Sequence, residues 1–203
     1  MSRKDIVIGV MALQGAFAEH ITSLKKLGVT AIEIRKKNEL EQIDGLIIPG
    51  GESTTMRTLN KDSIFEAIAA SFSKPIWGTC AGAILLANSV HSGIKAIGGV
   101  DMTISRNFFG RQAQSFEKMI KMNEIGDSPF NCIFIRAPAI THVGPSVSVL
   151  GELETNHANV IIAAKDGNRL VTVFHPELTE DLRFHQYFVD MVKKEKNFGK
   201  DQV

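Results

Sequence analysis

The chain has 203 residues, 44% hydrophobic and 22% charged, with a formal net charge of +1. That size and balance suit a single domain over 1–203 with a sizeable core, and no long run of one charge points to nucleic acid or a membrane surface. No apolar run reaches membrane-spanning length. Cys80 and Cys132 make no disulfide framework, and no Cys/His cluster has zinc spacing, so no metal is expected. The apolar run after the charged residues 1–5 is short, β-branched and without a convincing cleavage site, so it reads as a strand rather than a signal peptide. A soluble cytoplasmic protein is the expectation.

Residues 6–13 form a near-continuous apolar run, the pattern of a strand buried on both faces. Gln14-Gly15 makes a turn. Phe17, Ile21, Leu24 and Leu27 recur at helical spacing and predict a helix over 17–27, capped by Gly28. Strands are expected over 30–35 and 45–48, with a brief apolar stretch at 40–43 between them. A helix over 56–72 follows, entered near Ser53 to Thr55. Lys74-Pro75-Ile76-Trp77 leads a fourth strand into Gly78-Thr79-Cys80-Ala81-Gly82 and an Ala- and Leu-rich helix. This β-α-β-(α)-β-α order predicts a mostly parallel sheet with helices on both faces.

The second half changes character. Short strands are expected over 100–105, 115–120, 132–137, 147–153, 160–164 and 170–174, separated by turns such as Asp166-Gly167-Asn168. They predict antiparallel additions to the sheet. A final amphipathic helix over 179–196 would bury Leu182, Phe184, Phe188, Val189 and Val192, and 197–203 would fray.

Cys80 lies between Gly78 and Gly82 at a strand-to-helix turn. Glycines accept backbone angles that bulkier residues resist, so the turn exposes the thiol at the end of the sheet. A helix N-terminus favours thiolate, and the N–H of Ala81 could stabilise an oxyanion. The competing reading of an isolated Cys is a small core hydrophobe. His175-Pro176-Glu177 follows the last strand, which places an imidazole near the same sheet edge with a carboxylate two residues on. Cys80, His175 and Glu177 would then be nucleophile, general base and orienter. The alternative for His175 is a structural histidine. His20, His91, His142, His157 and His185 read as surface or packing residues.

Gly50-Gly51 closes the third strand at the edge where open α/β sheets bind ligands. It is either a tight turn or the source of a second oxyanion donor, the N–H of Gly51. Arg106 and Arg136 follow strand-like segments, and each could pair with an internal acid or bind an acidic ligand. No G-x-G-x-x-G or Walker pattern is present, which argues against a nucleotide site.

Together, several motifs resemble the glutaminase subunits of pyridoxal 5′-phosphate synthase, a family of class I glutamine amidotransferases. They are Pro-Gly-Gly-Glu-Ser-Thr-Thr at 49–55, Gly-Thr-Cys-Ala-Gly at 78–82, Arg-Asn-x-Phe-Gly-Arg-Gln at 106–112, Phe-Ile-Arg-Ala-Pro at 134–138 and Phe-His-Pro-Glu-Leu-Thr at 174–179. Ala12-Leu13-Gln14-Gly15-Ala16-Phe17-Ala18-Glu19-His20 also matches, and the likeness runs over 6–192. It is looser around 90–97 and 150–159, which read as loops.

The resemblance implies a flavodoxin-like three-layer α/β sandwich. It implies that Cys80 attacks the side-chain amide of L-glutamine, that His175 shuttles the proton and that Glu177 orients it. Gly51, Glu52, Ser53, Arg106, Ile135 and Arg136 would hold glutamine, and Gly51 and Ala81 would form the oxyanion hole. Gln14 and Gly15 would face a (β/α)8-barrel synthase partner that receives ammonia. No metal or cofactor is implied for this subunit. Competing readings are the glutaminase of imidazole glycerol phosphate synthase, a stand-alone γ-glutamyl hydrolase, and a non-catalytic regulatory subunit.

Overall fold

The computed structural model describes residues 6–91, 93, 96–106, 108–109, 115–155 and 159–198. Asn107, Gly110, Arg111 and Gln112 of the arginine-rich motif, His157, the charged start at 1–5 and the tail from 199 lie outside the described residues.

The first half builds a parallel core. Its strands are Val7–Met11 (β1), Thr30–Ile34 (β2), Gly45–Ile48 (β3) and Ile76–Thr79 (β4). Every residue of β3 and β4 is buried, as expected of strands covered on both faces. The helices are Phe17–Lys26 (α1), Ser53–Leu59 (α2), Ile64–Ser71 (α3) and Ala81–Leu86 (α4). A short 3-10 turn, Lys37–Gln42, occupies the expected brief stretch.

The second half adds Ala87–Val90 (β5), Val100–Ser105 (β6), Ser115–Ile120 (β7), Phe130–Ile135 (β8), Ala139–Val143 (β9), Val147–Glu154 (β10), Asn159–Asp166 (β11) and Arg169–Thr172 (β12). Helix Arg183–Phe198 (α5) closes the chain. The sheet order is β2-β1-β3-β4-β12-β11-β9-β6-β5, with β10 paired to β11 and a separate antiparallel pair β7-β8. The pairs from β2 to β12 are parallel, and β12-β11, β11-β9 and β9-β6 are antiparallel. The mostly parallel core with antiparallel additions is therefore observed.

Five expectations are corrected. The helix expected over 56–72 is two helices, because Ser63 takes a left-handed φ of 55° and Asn60 accepts a hydrogen bond from the N–H of Phe65 at 3.1 Å. Ala139–Val143 is a strand that pairs with β6 and touches β11. Ala87–Val90 is also a strand, so it replaces the start of the loop expected from residue 90. Residues 150–154 belong to β10, in line with the strand expected over 147–153 and against the loop read over 150–159. The last helix starts at Arg183 and reaches Phe198; Asp181 accepts from the backbone N–H of Arg183 at 3.1 Å and binds its guanidinium.

Successive residues of β4 face opposite sides of the sheet. Trp77 packs against Phe184 and Phe188 of α5, while Gly78 lies under Gly82 and Ala83 of α4. So α5 covers one face of the sheet and α4 the other, giving three layers. Among the described residues no helix is long and apolar enough to cross a membrane.

Candidate active site

Strand register brings the two key segments together. β4 and β12 run parallel with Thr79 opposite Thr172, so both chains leave the sheet at one edge. The N–H of Cys80 donates to the Thr172 carbonyl at 2.8 Å, fixing the turn to β12. The N–H of His175 donates to the Ile133 carbonyl at 2.8 Å, fixing the run after β12 to β8. Phe174 lies fully buried against Phe130, Phe134 and Phe184 and anchors the next residue.

Cys80 itself holds the strained conformation, with φ 47° and ψ −102°. A non-glycine residue held there costs roughly 1–3 kcal/mol, which the surrounding packing must supply. The sequence expectation located the special backbone angles at the glycines, and this is corrected. Gly78 and Gly82 have no positive φ. They are needed for close approach: a Cβ on Gly78 would stand 2.6 Å from the Gly82 carbonyl carbon, and one on Gly82 would strike the Ile48 carbonyl.

Cys80 is 7% exposed, and its thiol points toward the Ile135 carbonyl, 4.0 Å from the sulfur. His175 Nδ1 donates to Glu177 Oε1 at 2.7 Å, and both side chains are buried. Burial of His175 opposes its charge. Hydrogen bonds to Cys80 and Glu177, with electrostatic attraction from both, outweigh burial and raise the imidazole to about 10. A thiol, an imidazole and the carboxylate that anchors it thus stand together, the arrangement nucleophilic acyl chemistry requires.

A cavity of about 440 Å³ opens over the thiol, within the usual range for small-ligand sites. Gln14, Gly51, Glu52, Ser53, Cys80, Ala81, Arg106, Ile135, Arg136 and His175 all line it, along with Ile84 and Pro138. Glu177 stands behind His175, and Gly15 lies beneath Gly50 and Gly51.

The cavity wall is interlocked. The N–H of Ala16 donates to the Gly50 carbonyl at 3.2 Å, and Gln14 Oε1 accepts from the N–H of Glu52 at 2.8 Å. In a trans peptide the Gly51 N–H then points away from Ala16. The Ala81 N–H is at the first position of α4 and has no intrahelical acceptor.

Glu52 caps α2, accepting from the N–H groups of Thr54 (3.2 Å) and Thr55 (2.7 Å) and from both hydroxyls. Those bonds, led by the Thr54 hydroxyl, outweigh some desolvation and pull the carboxyl down to about 2. Glu52 also meets Arg106 Nη2 at 3.3 Å. Arg136 is exposed at the mouth with φ 44°, and among the described residues no carboxylate forms an ion pair with it. The internal ion pair weighed for it is therefore not observed among the described residues. Ser53 Oγ is buried without a hydrogen-bond partner on the cavity wall.

Sequence reasoning missed three residues at the site. Gly50 touches the His175 ring, and His20 and His185 are fully buried beyond Glu177. The signal for the histidines was present: His20 shares a helical stripe with Phe17 and Leu24, and His185 with Phe188 and Val192. Among the described residues no group of three or more His, Cys, Asp and Glu side chains is placed to hold a metal.

A family model described as the SNO glutamine amidotransferase family matches residues 10–194. A Dehalococcoides mccartyi protein named pyridoxal 5′-phosphate synthase subunit PdxT is 48% identical, covering 92% of this chain and 97% of that one. A protein of the same name from Carboxydothermus hydrogenoformans is 47% identical, covering 92% and 98%. A crystal structure described as a glutamine amidotransferase superposes with a TM-score of 0.84 at 40% identity, covering 92% of this chain and 98% of that chain. With the match extending over nearly the whole length, the chain belongs to the SNO glutamine amidotransferase family.

Proposed function

We propose that this single-domain chain is the glutaminase subunit of a pyridoxal 5′-phosphate synthase and works in the cytoplasm. The observation that carries the chemistry is the linked set Cys80, His175 and Glu177 at the floor of a cavity flanked by Arg106 and Arg136. The names of relatives nearly half identical over nearly their full length support the synthase assignment.

Glutamine binds with its side-chain amide over Cys80. Its α-carboxylate suits the guanidiniums of Arg106 and Arg136, and the backbone at Gly51 to Ser53 and at Ile135 positions the rest. The Cys80 sulfur passes its proton to His175 and attacks the amide carbon, forming a C–S bond and an oxyanion. N–H groups of Gly51 and Ala81 stabilise that oxyanion. His175 gives its proton to the amide nitrogen, the C–N bond breaks and ammonia leaves. Water, deprotonated by His175, then attacks the γ-glutamyl thioester, and glutamate departs as the C–S bond breaks. Ammonia passes to a (β/α)8-barrel synthase subunit docked over Gln14 and Gly15.

The test measures glutamate release with and without a purified pyridoxal phosphate synthase barrel, with Cys80→Ala as the blank. Activity that appears or rises sharply with the barrel supports both the chemistry and the partner. Equal activity in both conditions overturns the partner assignment. Turnover by Cys80→Ala overturns the nucleophile.

A further inference from the structure

The triad's orienting carboxylate has a second oxygen that the reaction scheme leaves unused. Glu177 Oε1 accepts from His175, but Oε2 is fully buried and lacks a hydrogen-bond partner of good geometry. A bare carboxylate oxygen away from water is costly, and it also leaves the carboxylate free to rotate off the imidazole. His20 Nε2 lies 3.5 Å from this oxygen. Behind it, His20 Nδ1 is 2.9 Å from His185 Nε2. Both rings are completely buried and both meet Trp77 edge-on.

We propose that His20 is a positioning residue for the glutaminase reaction: its Nε2–H holds the second oxygen of Glu177, and His185 fixes the tautomer that makes this possible. The proposal rests on the reading of Cys80, His175 and Glu177 given above.

Both ends of the His20–His185 pair fix the tautomer. With the proton on Nδ1, His20 would turn an Nε2 lone pair toward a carboxylate oxygen, which is repulsive. With the proton on Nε2, the ring donates to Glu177, shared with Thr79 Oγ1 at 3.3 Å, and Nδ1 accepts from the His185 Nε2–H. The far end of the chain agrees. His185 Nδ1 is buried with no partner. A bare lone pair there is tolerated better than an orphaned N–H, so the His185 proton belongs on Nε2. Burial keeps both rings neutral, with His20 pushed well below 6.5 and His185 to about 3. The long 3.5 Å contact fits a resting site, because such bonds often tighten only when substrate is bound.

The rings also connect distant parts of the chain. His20 is on α1, immediately after the Gln14–Gly15 wall, and His185 is on α5. Glu177 is therefore held from one side by the helix that follows the cavity wall and from the other by His175.

The first test uses the full unmodified chain and needs no partner or turnover. Long-range 1H–15N spectra of its histidines should show His20 and His185 both neutral and protonated at Nε2. A His20 protonated at Nδ1 overturns the proposal. The second test compares glutamine turnover by His20→Leu, His20→Gln and Glu177→Gln, each with a melting curve. Leucine fills the space without a donor, while the Gln amide N–H replaces Nε2–H.

His20→Leu should lower kcat about 10-fold or more, the usual scale for losing a group that orients a reacting residue, with KM nearly unchanged. His20→Gln should recover most of that rate. Normal turnover in His20→Leu alongside a collapse in Glu177→Gln overturns the proposal and leaves the triad standing. Equal losses in the Leu and Gln variants, tracking lost melting temperature, also overturn it in favour of packing. Normal turnover in Glu177→Gln removes the triad reading and the proposal with it.

Discussion

Gly50 lies flat against the His175 imidazole. A Cβ on Gly50 would collide with Cε1 and stand 2.9 Å from Nδ1 and 3.3 Å from the Cys80 Cβ. The ring is already held by Glu177 at 2.7 Å, so it cannot yield without breaking that bond. Gly50→Ala should therefore cost on the order of 10²-fold in kcat, the scale of an ångström-sized misplacement of a reacting group. Steady-state kinetics with a melting curve checks this. A near-normal kcat would mean that the ring finds another productive position.

Glu177 raises His175 as well as accepting its Nδ1 hydrogen bond. In the proposed mechanism His175 gives a proton to the departing ammonia, so turnover should fall as pH rises through about 10. Glu177→Gln removes a hydrogen-bonded negative charge, so the alkaline limb should move to lower pH. The plateau should drop on the order of 10³–10⁴-fold, as when the carboxylate of a serine-protease triad is made an amide. A pH–kcat profile reads both effects. An unmoved limb would show that Glu177 does not set the charge on His175.

The carboxylate of Glu52 is engaged by α2 and Arg106 before any ligand arrives. In the proposed binding mode its contribution is then through the backbone and through the placement of Arg106. Glu52→Ala should lose an N-cap, about 1 kcal/mol of stability, and should raise KM as Arg106 loses its anchor. Glu52→Gln should keep part of the cap and show a smaller KM change. Chemical denaturation alongside kinetics separates the two losses. Equal KM changes in both variants would point to direct ligand contact by the carboxylate.

The parallel half of the fold was legible because buried strands and amphipathic helices leave simple patterns. Apolar runs marked β1, β3 and β4, and Phe17, Leu24 and Gly28 marked α1 and its end. The break between α2 and α3 depends on side-chain bonds at Asn60 and a left-handed Ser63, which an apolar count over 56–72 does not register. β9 was hidden because His142 and Thr141 give it an exposed polar end. At the site, Cys80, His175 and Glu177 were legible from local spacing. The helical stripes of His20 and His185 signalled their burial but not their contact with each other, since 165 residues separate them and only packing brings them together. Gly50 was read with Gly51 as a turn, and its contact with His175 is equally non-local.

Arg136 combines a left-handed backbone with an unshielded guanidinium. Ala at that φ keeps the strain, whereas Gly relieves it. Arg136→Ala and Arg136→Gly should both raise KM for glutamine while alkylation of Cys80 changes little, and the Gly variant should be the more stable. Restored affinity in the Gly variant alone would make the backbone, not the charge, the binding feature.

Acid should unfold this protein earlier than its carboxylates require. His20 is lowered by burial and by the charges of His185 and His175, and His185 is lowered to about 3 by burial. In the unfolded chain both titrate near 6.5. Below that pH the unfolded chain takes up protons that the folded chain refuses, so stability falls as pH drops from about 6.5 toward 3. His175 has the opposite sign: its contribution is complete below 6.5 and is lost as pH rises through about 10. Between pH 6.5 and 5, above the ordinary carboxylate range, each buried histidine should steepen the loss toward about 1.4 kcal/mol per pH unit. Denaturant melts across that window test it, and His185→Leu should flatten the slope. A slope that is flat in the unmodified chain would mean that both rings accept a proton without unfolding.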